Sequence, residues 1–250
     1  MIEDKMIYFP VKYPEGIWNP GEYGVVVEDA YFKTDDGLRL HGWFVPSEEN
    51  KITLLWFHGN AGNLSHRFEN IKFLHELNIN VFIFDYRGYG RSEGKLPSEK
   101  TIYIDSRAAY NYLIQQKKIE KGKIFFFGRS LGGAMAVEMA REFGCPGLIL
   151  ESAFTSAEDM ALRMFPFLPV KYFIKTKFNS IDKIKDLACP KLFIHGNRDN
   201  VVPFKLGKKL FEAAREPKEF YEIDGADHND TYIIGGNEYF GVINQFLRKK

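Results

Sequence analysis

The sequence has little cysteine. Two thiols, Cys145 and Cys189, stand in 250 residues, too few for a disulfide framework or a cysteine metal cluster. Long apolar runs are missing too: nowhere do about 18 apolar residues follow one another, so no segment reads as a transmembrane helix. The opening MIEDKMIYFP has no basic stretch leading into an apolar one, so no secretory leader is read there. The expected location is the cytoplasm, with attachment to a membrane left open. Charge of one sign is also absent. Lysine and arginine number 34 against 33 aspartates and glutamates, a net charge of +1. That balance gives no reason to expect nucleic acid or an acidic polymer as partner.

What the chain does have is aromatic surface. Aromatics make up 16% of it, with 23 phenylalanines, which points to a phenylalanine-rich core or an apolar binding groove. Val25–Thr34 and Leu38–Val45 flank Asp35-Asp36-Gly37, a hairpin signal. Four short runs follow that are almost continuously apolar, Ile52–Phe57, Val81–Phe84, Lys123–Phe127 and Leu148–Leu150, and then Lys191–Ile194 and Glu219–Ile223. Strands apolar on both faces belong in parallel sheets covered by helices. The spacers at 65–77, 101–116, 131–143 and 205–214 carry apolar residues at helical spacing. Strand alternating with helix predicts an α/β fold with an eight-stranded, mostly parallel sheet and helices on both faces, its first part antiparallel. No repeat or linker divides the chain, so a single domain over 1–250 is expected, with one long interval, 152–188, that breaks the rhythm.

The chemistry centres on Gly128-Arg129-Ser130-Leu131-Gly132. This G-x-S-x-G pattern falls where a strand meets a helix. Such a turn holds a serine on a strained backbone, with its hydroxyl above the sheet and the helix N–H groups aimed at the place where an oxyanion forms. A serine needs a base, and the base needs an orienting acid. Downstream there are two histidines, His195 and His228. His195 ends a strand-like run and reads as a partly buried loop histidine. His228, in the loop IDGADHND after the last strand, suits the base. For the acid, Asp199 lies in the loop after the next-to-last strand, on the same carboxyl edge as Ser130. Glu151 ends an earlier strand on that edge and competes. Asp224, Asp227 and Asp230 are too local to His228 and read as turn caps.

Two donors complete such a site: the backbone N–H of Leu131, after the nucleophile, and one from the loop HGNAGN after Ile52–Phe57. Asn60 is the first choice there and Ala61 the second, with His58 as a structural tie. Other signals fail. GYGRSEG spaces its glycines one residue too long for a dinucleotide fingerprint, LHELNIN is not a zinc-binding H-E-x-x-H, and there is no P-loop. Hence no cofactor and no metal are expected. Asp85 and Arg87 read as polar scaffolding and Ser92 as exposed turn chemistry.

With HGNAGN, FDYRGYGRSEG, GRSLGGA, ESAFTS, HGNRDNVVP and GADHND together, the chain resembles the α/β-hydrolase superfamily of serine hydrolases over almost its whole length. It looks like the small-lid, ABHD-type branch that includes depalmitoylases and monoacylglycerol lipases. The resemblance implies the α/β-hydrolase fold, a triad of Ser130, Asp199 and His228, an oxyanion hole from Asn60 and Leu131, and cleavage of carboxylic esters or thioesters through an acyl-enzyme. A peptidase on the same fold and a non-catalytic binding protein remain alternatives, and the partner expected is a small or lipid-like ester.

The interval 152–188 is read as a short lid. Pro166 and Pro169 break any single long helix, so two short helices with a bend are expected. Met160, Leu162, Met164, Phe165, Phe167, Leu168, Tyr172 and Phe173 offer more apolar surface than a loop needs. They suit either satellite core or the wall of an acyl groove, with Phe165, Phe167 and Phe173 as substrate contacts. Lys171, Lys175 and Lys177 beside them would suit peripheral contact with an anionic membrane. Both cysteines read Cys-Pro just before a strand, at the edge of the sheet opposite Ser130.

Overall fold

All eight strand-like runs form strands. The structure, a computed structural model, describes residues 2–48, 52–165, 167, 169 and 174–249. The chain divides into two compact units, Met1–Phe126 and Phe127–Lys250.

In the first unit four strands take the order β3-β4-β2-β1: β1 Glu28–Lys33, β2 Arg39–Val45, β3 Thr53–Phe57 and β4 Asn80–Phe84. β1 and β2 pair antiparallel around a turn in which Gly37 takes φ 88° and its N–H reaches the Thr34 carbonyl. β2 pairs antiparallel with β4, and β4 pairs parallel with β3. The hairpin thus supplies the antiparallel part and β3 opens the parallel part. Every residue of β3 and β4 is buried, which is why those runs carry no polar alternation. The phenylalanines go to core: Phe32, Phe82, Phe84, Phe57 and Phe126 meet edge to face or tilted, with Tyr112 and Tyr110 of α3 against them. Such pairs add about 0.5–1.5 kcal/mol each beyond their buried area.

Helix α1, Ile2–Ile7, was not announced by the sequence, nor was the short parallel pairing of Phe9–Pro10 with Ala61–Gly62. α2 covers Phe68–His75, after a 3₁₀ turn capped by Asn63, and α3 covers Glu99–Gln115, capped by Ser98 and Thr101.

In the second unit the order is β8-β7-β6-β5: β5 Ile124–Arg129, which begins just before the unit boundary, β6 Leu148–Glu151, β7 Lys191–Gly196 and β8 Lys218–Ile223. β7 pairs parallel with both neighbours. The helices are α4 Leu131–Phe143, α5 Ala157–Met164, α6 Ser180–Lys183, α7 Phe204–Ala213 and α8 Thr231–Arg248. The fold class is therefore α/β, with eight main-sheet strands, mostly parallel, and helices around them. α8 lacked a clean helical signal because Gly236 takes φ 49° and ψ −136° in the middle of it and kinks it.

Among the described residues of the interval 152–188 there are two short helices, α5 and α6, the latter running into a 3₁₀ turn at Ile184–Asp186. α5 starts on Ser156, whose side chain accepts from the Asp159 N–H, and stops at Met164, before Pro166. Pro166, Leu168 and residues 170–173, among them Lys171, Tyr172 and Phe173, lie outside the described residues.

Candidate active site

β5 is apolar up to Phe127 and then delivers Gly128, Arg129 and Ser130 at its carboxyl end. Ser130 is the residue before α4 and has φ 54°, ψ −121°, a conformation that costs a non-glycine residue about 1–3 kcal/mol. Two features hold it there. The Ser130 N–H donates to the Glu151 carbonyl of β6 at 2.9 Å, and its own carbonyl accepts from the Gly133 N–H at 2.9 Å. The tightness of the turn explains the glycine before it: a Cβ on Gly128 would stand 2.5 Å from the Gly132 carbonyl oxygen and 2.7 Å from the Ala136 Cβ. Gly133 is equally committed, since its Cβ would meet that of Ala153 at 2.8 Å. Leu131 is the first residue of α4, so its N–H is one of those with no partner inside the helix.

Asp199 and His228 meet. His228 Nδ1 lies 2.8 Å from Asp199 Oδ2, in loops that follow β8 and β7. Asp199 Oδ1 accepts from the N–H groups of Val201 and Val202 at 2.9 and 2.7 Å. Burial opposes ionisation of Asp199. Hydrogen bonds from His195 and His228, the charge of His228 and the Val202 N–H outweigh it and hold the carboxyl well below the usual carboxylate range. The Asp199–His228 contact occupies Nδ1 and leaves Nε2 as the other ring nitrogen of His228.

His195 differs from the loop histidine expected. It lies within β7 and is buried. Its Nε2 is 2.9 Å from the Val202 carbonyl and 3.3 Å from Asp199 Oδ2, so Asp199 has an imidazole on either side. Space forces this placement: a Cβ on Gly207 would reach within 2.1 Å of His195 Nδ1.

Glu151 is fully buried and otherwise engaged. Its Oε1 accepts from the Thr231 hydroxyl and lies 3.3 Å from Arg129 Nε, and its Oε2 accepts from the Tyr239 hydroxyl at 2.9 Å. Arg129 in turn donates from Nη2 to the His228 carbonyl at 2.5 Å. Arg129 and the Glu151 network are the parts of the site that the sequence reading passed over. The available signal was an arginine at the end of a phenylalanine strand, where a buried charge requires a partner. The three local aspartates serve turns: Asp227 accepts from the N–H groups of Asn200 and His228, Asp230 from that of Asp227, and Asp224 from the Asn197 side chain.

In the first unit the loop His58–Asn63 is pinned from several sides. The Asn60 carbonyl accepts from the Phe9 N–H at 3.0 Å and from the Tyr89 hydroxyl at 2.7 Å, and its side chain donates to the Ile7 carbonyl at 2.8 Å. Ala61, the second choice, pairs with Phe9. His58 is buried, with Nδ1 2.7 Å from the Gly59 carbonyl and Nε2 3.5 Å from Asp85. Arg87 spans Asp105 and Asp36. Ser92 corrects its expectation: it is buried, accepts from the His41 N–H and donates to the Asp85 carbonyl.

Of the residues read as acyl contacts, Phe165 is 37% and Phe167 97% exposed, and Phe173 lies outside the described residues. α5 touches the loop that carries Asp199, because Arg163 Nη2 donates to the Asn200 carbonyl at 2.7 Å. Among the described residues, no group of three or more His, Cys, Asp and Glu side chains is assembled to hold a metal ion, and no helix is long and apolar enough to cross a membrane.

With this geometry in view, the chain's likenesses are informative. Residues 48–180 match the Hydrolase_4 family, described as serine aminopeptidase, S33. The chain is 35% identical to the alpha/beta hydrolase domain-containing protein WAV2 of Arabidopsis thaliana, covering 99% of this chain and 88% of the relative. It is 36% identical to the protein bem46 of Schizosaccharomyces pombe, covering 97% and 85%. Its fold matches that of the Pyrococcus furiosus esterase Pf2001 with a TM-score of 0.80 over 96% of this chain and 98% of that one, at 23% identity. The chain belongs to the Hydrolase_4 family, within the α/β-hydrolase superfamily.

Proposed function

We propose that this hydrolase cleaves carboxylic esters, thioesters included, through an acyl-enzyme on Ser130. The observation that carries the reading is the 2.8 Å contact of His228 Nδ1 with Asp199, in the same unit as a serine held at φ 54° between a strand and a helix. His228 Nε2 takes the Ser130 proton as the hydroxyl oxygen attacks the ester carbonyl. Asp199 fixes the tautomer and stabilises the imidazolium. The tetrahedral oxyanion receives a hydrogen bond from the Leu131 N–H. His228 returns the proton to the leaving alcohol or thiol, the carbon–oxygen or carbon–sulfur bond breaks, and water then releases the acid by the same steps. Phe165, Phe167 and Phe173 serve as apolar contacts for the acyl chain. The esterase name of the Pyrococcus furiosus neighbour agrees with this reading.

A second reading has one observation in its favour, the aminopeptidase description of the matching family. The same groups would then cleave an amide at a peptide N-terminus. One experiment separates the two: turnover of a p-nitrophenyl ester series beside aminoacyl p-nitroanilides, with a fluorophosphonate to report the nucleophile. Ester turnover with labelling at Ser130 supports the first reading. Anilide turnover that exceeds ester turnover favours the second, and neither turnover nor labelling sinks both.

A further inference from the structure

At the opposite end of β6 and β7 from Asp199 is a pair of groups that hydrolysis does not use. β6 and β7 are neighbours, with Leu148 opposite Lys191 and the Leu148 N–H donating to the Pro190 carbonyl at 3.0 Å. Cys145 and Cys189 lie three and two residues ahead of that pair, each followed by a proline. Both are free and half-buried, and the pairing of β6 with β7 brings them to the same end of neighbouring strands. Beside them Lys191, itself buried, donates from Nζ to the carbonyls of Leu187 and Cys189 at 2.8 and 2.5 Å. Glu216 and Lys218 are the other charges that face this lysine.

We propose that Cys145 and Cys189 form a reactive dithiol site, which takes a low-molecular-weight disulfide as its reactant and closes to an intramolecular disulfide. Cys189 is the attacking group. The neighbouring Cys145 thiol outweighs burial and, with the Lys191 charge, brings the Cys189 thiol down to about 7, while the Cys189 thiol and burial push Cys145 well up. A thiol poised near ambient pH combines a large thiolate fraction with good nucleophilicity. The Cys189 thiolate attacks one sulfur of the reactant, giving a mixed disulfide and one thiolate, which takes up a proton. Cys145 then gives up its proton and attacks the Cys189 sulfur, and the second thiol leaves. Two protein thiols are oxidised and one small disulfide is reduced to two thiols, so electrons and protons balance. The closed loop spans 145–189 and contains α5 and α6. Closure of a loop of that size constrains the unfolded chain and raises Tm by about 5 °C or more.

Oxidised glutathione at neutral pH is the probe, read by intact mass, peptide mapping and thermal melting. The wild type is expected to lose two hydrogens, to yield a Cys145–Cys189 crosslinked peptide and the higher Tm, and to revert with dithiothreitol. Cys145→Ser should hold one glutathione stably on Cys189. Cys189→Ser should react at Cys145 at least about 10-fold more slowly. Melting of the reduced variants within a few degrees of the reduced wild type shows that they fold, and Cys→Ala at each position repeats the comparison if serine does not. A wild type that keeps both thiols, that retains glutathione without closing, or that crosslinks only between molecules would overturn the site, as would equal reactivity of the two single variants. Neither cysteine touches Ser130, Asp199 or His228, so the outcome is independent of which bond the hydrolase cleaves.

Discussion

Arg129 Nη2 donates a 2.5 Å hydrogen bond to the carbonyl oxygen of His228, so the residue next to the proposed nucleophile holds the loop that carries the proposed base. The arginine is held in turn by Glu151, itself bonded by Thr231 and Tyr239. Buried ion pairs do little for net stability, but loss of one partner strands the other charge. Arg129→Met with Glu151→Gln removes both charges and spares the fold that penalty. The double variant is expected to lower kcat by about 10- to 100-fold with KM within about 2-fold, because the base shifts while ester binding persists. A rise in KM with kcat unchanged would assign Arg129 to binding instead.

Ser130 gives a prediction with two opposite readouts. Its φ 54°, ψ −121° backbone suits glycine better than any residue with a Cβ. Ser130→Gly is expected to lower ester kcat by about 10³-fold or more and to raise Tm by about 2 °C. Loss of activity with a fall in Tm would mean that the hydroxyl is part of the structure rather than a group for which the backbone carries strain.

The low pKa of Asp199 sets a sign for stability. Its carboxyl is held well below the usual range in the folded state, so its stabilising contribution is complete above about pH 4, the unfolded value, and is lost as pH falls through the folded one. Asp199→Asn is expected to unfold more easily at pH 7 by about 2 kcal/mol, and the deficit should shrink once pH drops below about 4. Urea unfolding of both proteins at pH 7 and pH 3 checks this. An equal deficit at the two pH values would show that it comes from packing. Turnover by the same variant should fall by about 10²-fold or more, as the amide favours the wrong imidazole tautomer.

Periodicity carried the fold. The apolar runs Ile52–Phe57, Val81–Phe84, Lys123–Phe127 and Leu148–Leu150 are strands because a parallel sheet buries both faces, a pattern legible in the sequence of β3, β4 and β5. The 2.8 Å contact of His228 with Asp199 was readable too, since Ser130, Asp199 and His228 each follow a strand at its carboxyl end, in that order along the chain. What periodicity misses is specific to through-space partners. His195 reads as a loop residue until Gly207 and Asp199 are seen against it. Ser92 reads as exposed until the His41 N–H is found on it. α8 hides behind the Gly236 kink, and α1 is too short for amphipathic spacing to register.

The last prediction concerns Phe167, the most exposed large apolar side chain in the described part of the interval 152–188, at 97%. A residue that packs against nothing contributes little to stability, so Phe167→Ala is expected to change the unfolding free energy by less than about 0.5 kcal/mol. If it contacts an acyl chain in the complex, the effect should appear in chain-length dependence. Each methylene that leaves water is worth up to about 0.8 kcal/mol, roughly a 4-fold step in kcat/KM at full burial. Wild-type kcat/KM should therefore climb from acetyl to medium-chain p-nitrophenyl esters. Phe167→Ala should flatten the climb while acetyl ester turnover stays within about 2-fold. Phe165, which is partly covered and follows α5 directly, should show the same change in chain-length profile together with a measurable loss of Tm. A flat profile in the wild type, or one that neither substitution alters, would leave this segment as cover for the second unit rather than as a wall for substrate.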